Sequence, residues 1–404
     1  MQLTRRDWLA IAVAFPSVVR AAAADAVGDT ISRASDVIRV YSAEGFHRTA
    51  TAVDRASAER LLALAKAAGA SPRLEPFEVS RVDPVAQFIE IDGRRIDGLV
   101  MFDAPFTSGD GVGGALGGVD SDRPIAFTRI SPNGEAALRT IREKASHRAI
   151  VAATMGGQPG LCPVNAAWFS EPFGPPLLQV SSEHADLLER AAAAGSTVRI
   201  VAHATRQRAT AVNVVADVAG SRSDLPALCV MTPRSGWHSN ASERGGGLAC
   251  WLEALRAAVA AKPARGVRFV ASSGHELGHL GLHAYLDRNG TLARDAAAWV
   301  HFGANIGTST GDVGLNASDA ALAGAVRTAL TPYHLEGIRQ STTAQVAGEA
   351  ATISRAGGRY VSFIGQNSWF HNPRDLWPDA VNVQTVARFA RATADLVVAL
   401  ARPA

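Results

Sequence analysis

The chain has 404 residues, 47% of them hydrophobic and 19% charged, with a formal net charge of +3. The composition is globular and long enough for two domains with a sizeable core. Basic residues are scattered, form no polybasic run and do not interleave with aromatics, which excludes a nucleic-acid-binding footprint.

Residues 1–26 have the pattern of a targeting segment. Arg5 and Arg6 precede an apolar stretch from Leu9 to Val19, and small residues from Ala21 to Ala26 suit cleavage. This resembles a twin-arginine export signal. The expectation is a periplasmic or secreted protein with no membrane association after signal removal, because the apolar part is short for a bilayer span and contains Pro16. Cys162, Cys229 and Cys250 are too few, and odd in number, for a disulfide framework. One pair could close in an oxidising compartment, although Cys229 and Cys250 sit in apolar runs expected in the core.

Ala56 to Ala68 predicts a helix stopped by Gly69. Leu74 to Val79 predicts a short strand, and Phe88 to Ile96 a hairpin around Asp92-Gly93. From residue 97 to 205 the texture changes. Glycine-rich turns, short strands at Pro124–Phe127, Ala149–Ala153 and Thr197–Val201, and helices at Gly134–Lys144 and Ser182–Ala194 read as an inserted β-rich subdomain. Ala211 to Val218 resumes the main sheet. Strands follow at Leu225–Met231, Ala297–Phe302 and Tyr360–Ile364, with helices at Leu248–Ala261, Asp319–Leu330 and Val383–Leu400. The fold class expected is α/β, a doubly wound mixed sheet carrying the insert. The expected division is a signal at 1–26, the first part of the α/β domain at 27–96, the insert at 97–205 and the rest of the α/β domain at 206–404.

The stretch GVRFVASSGHELGHLGLHAYL, residues 266–286, concentrates the chemistry. Val267 to Ala271 predicts a buried strand, Ser272-Ser273-Gly274 breaks it, and a helix is expected from Leu280. Titratable groups just past the C-terminal end of a buried strand sit where open α/β sheets place ligands. His275-Glu276-Leu277-Gly278-His279 matches the H-E-x-x-H pattern of zinc peptidases. That chemistry requires one helix, and Gly274, Gly278 and Gly281 each cost a helix about 1 kcal/mol. The zinc-helix reading is therefore disfavoured.

Beyond this stretch the chain resembles a known family, the two-zinc exopeptidases of the bacterial aminopeptidase and glutamate carboxypeptidase type, metallopeptidase family twenty-eight. HRTATAVDRASAERLLALAKAAGASPRLEPFEV is similar to the family's leading segment, residues 97–205 to its protease-associated insert, and RATAVNVVADVAGS to the strand that re-enters the sheet. ERGGGLACWLEAL, FVASSGHELGHLGLHAYL and FHNPRDLWPDAVN are similar to its loop–helix, strand–turn–helix and closing His-loop motifs. The resemblance implies a zinc exopeptidase-like fold with half of the family's site. The bridging Asp falls on Glu243, the Glu ligand on Glu276 and the last His on His371. Both private ligands of the other ion are absent, since Thr232-Pro233-Arg234 and Gly303-Ala304 stand at their places, and the family's Glu base falls on His275.

The expected function is thus a metal-dependent hydrolase of peptide or other amide bonds. It would use one zinc ion held by Glu243, Glu276 and His371, with the second ion lost, and His275 as base or fourth ligand. His279 is a reserve ligand, His238 could reach the site from its loop, and Arg234 or Arg244 could bind a substrate carboxylate. Plainer roles are open for the same residues: Glu243 as a helix-end charge, Glu276 as a solvated carboxylate, His371 as a loop histidine and His301 as a structural one. The alternative expectation is a catalytically inactive, peptidase-like binding protein of the periplasm.

Overall fold

In the computed structural model of the chain, residues 28–341 and 346–402 are described. The expected export signal lies outside them. Among the described residues no helix is long and apolar enough to cross a membrane.

A helix α1 runs through residues 28–43. It is followed by α2 (Ala52–Ala67), β1 (Ser71–Ile91), β2 (Arg94–Val100), β3 (Val112–Gly118), β4 (Ile125–Ile130), α3 (Glu135–Lys144), β5 (Ala149–Thr154), β6 (Leu177–Ser181), α4 (Ala185–Ala194) and β7 (Thr197–Val218). The second half runs β8 (Leu228–Pro233), α5 (Gly245–Ala261), β9 (Val267–Ser272), α6 (Leu280–Arg288), α7 (Leu292–Asp295), β10 (Ala298–Ala304), β11 (Val313–Ala317), α8 (Ala320–Leu330), β12 (Arg339–Ser341), α9 (Ala350–Arg355), β13 (Tyr360–Gly365) and α10 (Val383–Leu400). The strands form one 13-stranded mixed sheet, the α/β class expected from the sequence.

Four neighbouring strands, β9, β8, β10 and β13, are parallel. Strands covered on both faces read as continuous apolar runs, and every residue of β8 and β10 is buried. Successive side chains alternate faces. Val230, Phe269 and Val300 pack under α5 and α10 with Trp251, Leu255 and Phe389. Met231, Val270 and Trp299 pack on the opposite face with Leu282 and Tyr285 of α6 and Ile353 of α9. The C-terminal ends of these strands lie along one rim, which receives the loops bearing the candidate site.

The pairing of β1 with β7 differs from the expectation of short strands. They are 21 and 22 residues long and pair from Ser71↔Asp217 to Ile91↔Val198, with one irregularity at Pro84/Ala86. Pro72, Pro76 and Pro84 obscured this, since proline demotes a strand. They are tolerated because β2 covers only Phe88 to Ile91, so the proline-bearing part of β1 is an edge. The Asp92-Gly93 turn is as expected, with φ of 49° and 72°, positive at both positions as a two-residue hairpin requires.

The far half of this ribbon carries β2 to β6 with α3 and α4, built on the parallel strands β3 to β6. A buried ion pair ties this region together. Arg142 reaches the Asp103 carboxylate at 2.7 Å, both side chains being fully buried, and donates to the carbonyls of Asp103 and Phe173. Removing one partner of such a pair leaves an uncompensated charge. Asp103→Ala is expected to cost about 3–5 kcal/mol, read from urea unfolding. A loss no larger than that of an exposed pair, about 0–1 kcal/mol, would show that the pair does not anchor the region.

Candidate active site at the rim of the parallel strands

The turn after β9 decides how His275, Glu276 and His279 are presented. Gly274, Gly278 and His279 all have left-handed backbone, with φ of 84°, 79° and 63°. His275–Leu277 form a single 3-10 turn and α6 starts only at Leu280. The two imidazoles of the H-E-x-x-H pattern therefore do not share a helix face, in agreement with the glycine-based reading.

Glu276 turns away from the other expected ligands. Its Oε1 accepts from Thr49 N at 2.8 Å and Thr49 Oγ1 at 2.7 Å, and its Oε2 accepts from Ser235 Oγ at 2.6 Å. The same two hydroxyls accept from the Gly274 amide. Glu276 thus fastens the turn to the 47–49 loop and to the loop after β8.

Glu243 and His371 do meet. The His371 Nε2 lies 3.5 Å from Glu243 Oε1. His371 Nδ1 donates to the Pro163 carbonyl at 2.6 Å, which turns Nε2 toward Glu243. Asp375, in the His371 loop, accepts from the Ser242 and Glu243 amides at 2.8 and 2.9 Å and so clamps the two loops together. Burial pushes its carboxyl up to about 7, against the lowering effect of those donors. Arg244 lies 2.7 Å from Glu243 Oε1, with both side chains fully buried, and donates to the carbonyls of Ser235 and Gly303. Burial alone would raise the Glu243 carboxyl, but the Arg244 guanidinium and the His371 imidazole outweigh it and hold it well below the carboxylate range. Arg244 thereby places a permanent cation between the loop after β8 and the end of β10, the two segments where the resemblance finds the second ion's ligands missing. The helix behind it comes very close: a Cβ on Gly246 would stand 1.8 Å from the Ile306 carbonyl oxygen.

Arg234 is also fully buried, paired with Asp54 at 2.8 Å and donating to the carbonyls of Asp54 and Val212. Neither arginine presents its guanidinium to solvent. His238 donates from Nε2 to Leu161 O at 3.3 Å and its Nδ1 finds no partner among the described residues, while the Glu243 oxygens have the Arg244 and His371 ion-pair contacts but no well-aligned hydrogen bond. Burial lowers the His238 imidazole to about 4.

A second cluster forms beside the first. His275 Nδ1 lies 2.8 Å from Glu349 Oε1, and His301 Nε2 lies 3.2 Å from Glu349 Oε2. Glu349 is fully buried; burial opposes its ionisation, but His275 and His279 hold its carboxyl well below the usual range. Among the described residues, His275, His279 and Glu349 form the group whose ligand atoms all lie within 4.8 Å of one another. Glu243, Glu276 and His371 do not form such a group. Glu349 was not anticipated. Its one sequence signal is a lone carboxylate among small and apolar residues, VAGEAA, a setting in which a buried charge needs a partner.

This architecture has solved counterparts. The chain is similar to a Peptidase M28 precursor from Shewanella amazonensis SB2B (TM-score 0.76, 16% identical, covering 96% of this chain and 97% of that one). It is also similar to a zinc aminopeptidase from Bacillus subtilis (TM-score 0.70, 17% identical, 92% and 93% covered). A third is an aminopeptidase from Aneurinibacillus sp. strain AM-1 (TM-score 0.69, 16% identical, 94% of each covered). The fold is shared with zinc aminopeptidases. No family model and no curated protein matches the sequence.

The rim is supported by a neutral buried histidine. His47 stacks on Tyr41 with ring centroids 3.7 Å apart, donates to Tyr41 O at 2.8 Å, and its amide donates to His238 O. Burial lowers its imidazole to about 3. Below about pH 6.5 the unfolded chain then takes up a proton that the folded chain refuses, so this contribution is present above pH 6.5 and is lost as pH falls toward 3. The stability advantage of the wild type over His47→Gln is expected to shrink from pH 7.5 to pH 4.5 in paired thermal melts. A pH-independent difference would mean that His47 charges within the fold.

Proposed function

We propose that the chain hydrolyses peptide or other amide bonds of small substrates at the rim of its parallel strands. The observation that carries this reading is the convergence of His371, Glu243, His275 and Glu349 there, on a fold shared with zinc aminopeptidases over more than 90% of both chains. The arginine pair and apolar stretch of residues 1–26 support a periplasmic or secreted location.

The residues first expected to hold zinc do not suit it as a set. Glu276 has both oxygens committed to hydroxyl and amide donors, and Glu243 is already neutralised by Arg244. Two imidazoles are placed to take a proton from an attacking water. His371 donates from Nδ1 to Pro163 O, which aims its Nε2 toward Glu243. His275, with Nδ1 facing the Glu349 carboxylate, presents its Nε2 in the same way. Arg244, fixed beside Glu243, holds the loop geometry and the local charge.

The insert supports a role in admitting substrate. Leu161 O and Pro163 O bind His238 and His371, and the Ala166 amide donates to Glu276 O. The segment thus lies across the rim and favours small substrates.

A second reading, a binding protein without turnover, is favoured by one observation: the Arg244 guanidinium consumes the carboxylate that the family uses as its metal bridge. A panel of amino-acid amides, aminoacyl anilides and N-acyl amino acids separates the two. Hydrolysis is expected, with kcat/KM falling by about 10²–10⁴ in His371→Ala. Stabilisation of the protein by panel members without turnover would favour the binder.

A further inference from the structure

We propose that this chain carries a relocated metal site, formed by His275, His279 and Glu349, which takes one zinc-like divalent cation. The inference deepens the hydrolase reading but rests on its own observations. Two imidazoles and a carboxylate with their ligand atoms inside 4.8 Å form a donor set suited to zinc, harder and oxygen-only sets being those of magnesium and calcium.

Three features set this cluster apart from an internal ion pair. The His279 ring makes no hydrogen bond to another described residue, although it sits 5.1 Å, centroid to centroid, from that of His275. It places a nitrogen within 4.8 Å of the ligand atoms of His275 and Glu349 without being committed to either. Next, the Glu349 carboxylate is oriented from behind. His301 Nε2 approaches its second oxygen at 3.2 Å, and His301 Nδ1 is held by Ser362 Oγ at 2.9 Å. Such outer partners fix the orientation of ligands in metal sites. Third, the chain is shaped to bring Glu349 in: Gly348 has φ of +62°, and a Cβ there would stand 3.1 Å from the His301 ring.

The chemistry of binding is an exchange of cation for proton. The proton between His275 Nδ1 and Glu349 Oε1 leaves to solvent, the cation takes its place between the same two atoms, and His279 supplies a third donor. His301 keeps its proton and remains a positioning residue. His279 is partly exposed, so the cation would keep a side open to water. With His275 engaged as a ligand, His371 is the imidazole left to accept a proton.

The test is calorimetric titration of the metal-stripped mature protein with Zn²⁺ in two buffers of different ionisation enthalpy, with Co²⁺ absorption as a second readout. One ion per chain is expected, with about one proton released and a Co²⁺ spectrum of low coordination number. His301→Gln is expected to weaken binding by about 10–100-fold, and His279→Ala by more than that. His371→Gln should bind as the wild type does. Glu349→Gln should also lose the ion, and if it fails to fold, His279→Ala decides, its ring being partly exposed. Wild-type affinity in His279→Ala, loss of the ion in His371→Gln alone, or no ion bound by the folded wild type would each overturn the site. Amide turnover is measured on the same samples. An ion bound as described without turnover leaves the site standing and removes the hydrolase reading, whereas turnover without any ion does the reverse.

Discussion

A carboxylate buried in a protein must be matched by a cation or by several donors, and the rim of this sheet buries three glutamates, Glu243, Glu276 and Glu349, besides the Asp375 that clamps two of its loops. Each is matched differently. Glu243 is matched by a guanidinium and faces an imidazole. Glu276 is matched by two hydroxyls and an amide. Glu349 is matched by imidazoles. The loops that carry them come from distant parts of the chain, so these matches also hold the cleft together.

The three solutions are not equivalent chemically. A guanidinium cannot be deprotonated in a protein, so the charge beside Glu243 is permanent and a metal would have to compete with it. Hydroxyl and amide donors hold both oxygens of Glu276, and displacing them would free the turn after β9. Imidazoles alone can lose a proton near neutrality and become ligands. Of the three glutamates, only Glu349 is matched by imidazoles alone, which can exchange a proton for a cation.

Much of the architecture was legible because it follows from local pattern. The apolar run Val267 to Ala271, the glycine-broken turn and the helix from Leu280 are where the sequence puts them, and the Asp92-Gly93 hairpin follows from its two positive φ values. The length of β1 and β7 was not legible, since each is extended by a partner more than a hundred residues away and not by its own propensity. The site shows the same division. Glu276 occupies a ligand position by resemblance, but its partner Thr49 lies 227 residues earlier and cannot be inferred from the motif. Glu349 is 74 residues from His275 and belongs to no motif at all. Residue type is local; what faces the residue is not.

The loop 161–163 also does more than cover the rim. A neutral imidazole has one basic nitrogen, and which one is set by the bond the other makes. Here the carbonyls of Pro163 and Leu161 make that choice for His371 and His238, while Glu349 makes it for His275. His371 and His238 thus take their orientation from the 161–163 loop, and His275 takes it from Glu349. If the 161–163 loop moved away, His371 would be free to present either nitrogen toward Glu243. The position of that loop is in this sense part of the geometry of the rim, and the ribbon of β1 and β7, which carries β2 to β6 on the main sheet, is what holds it in register.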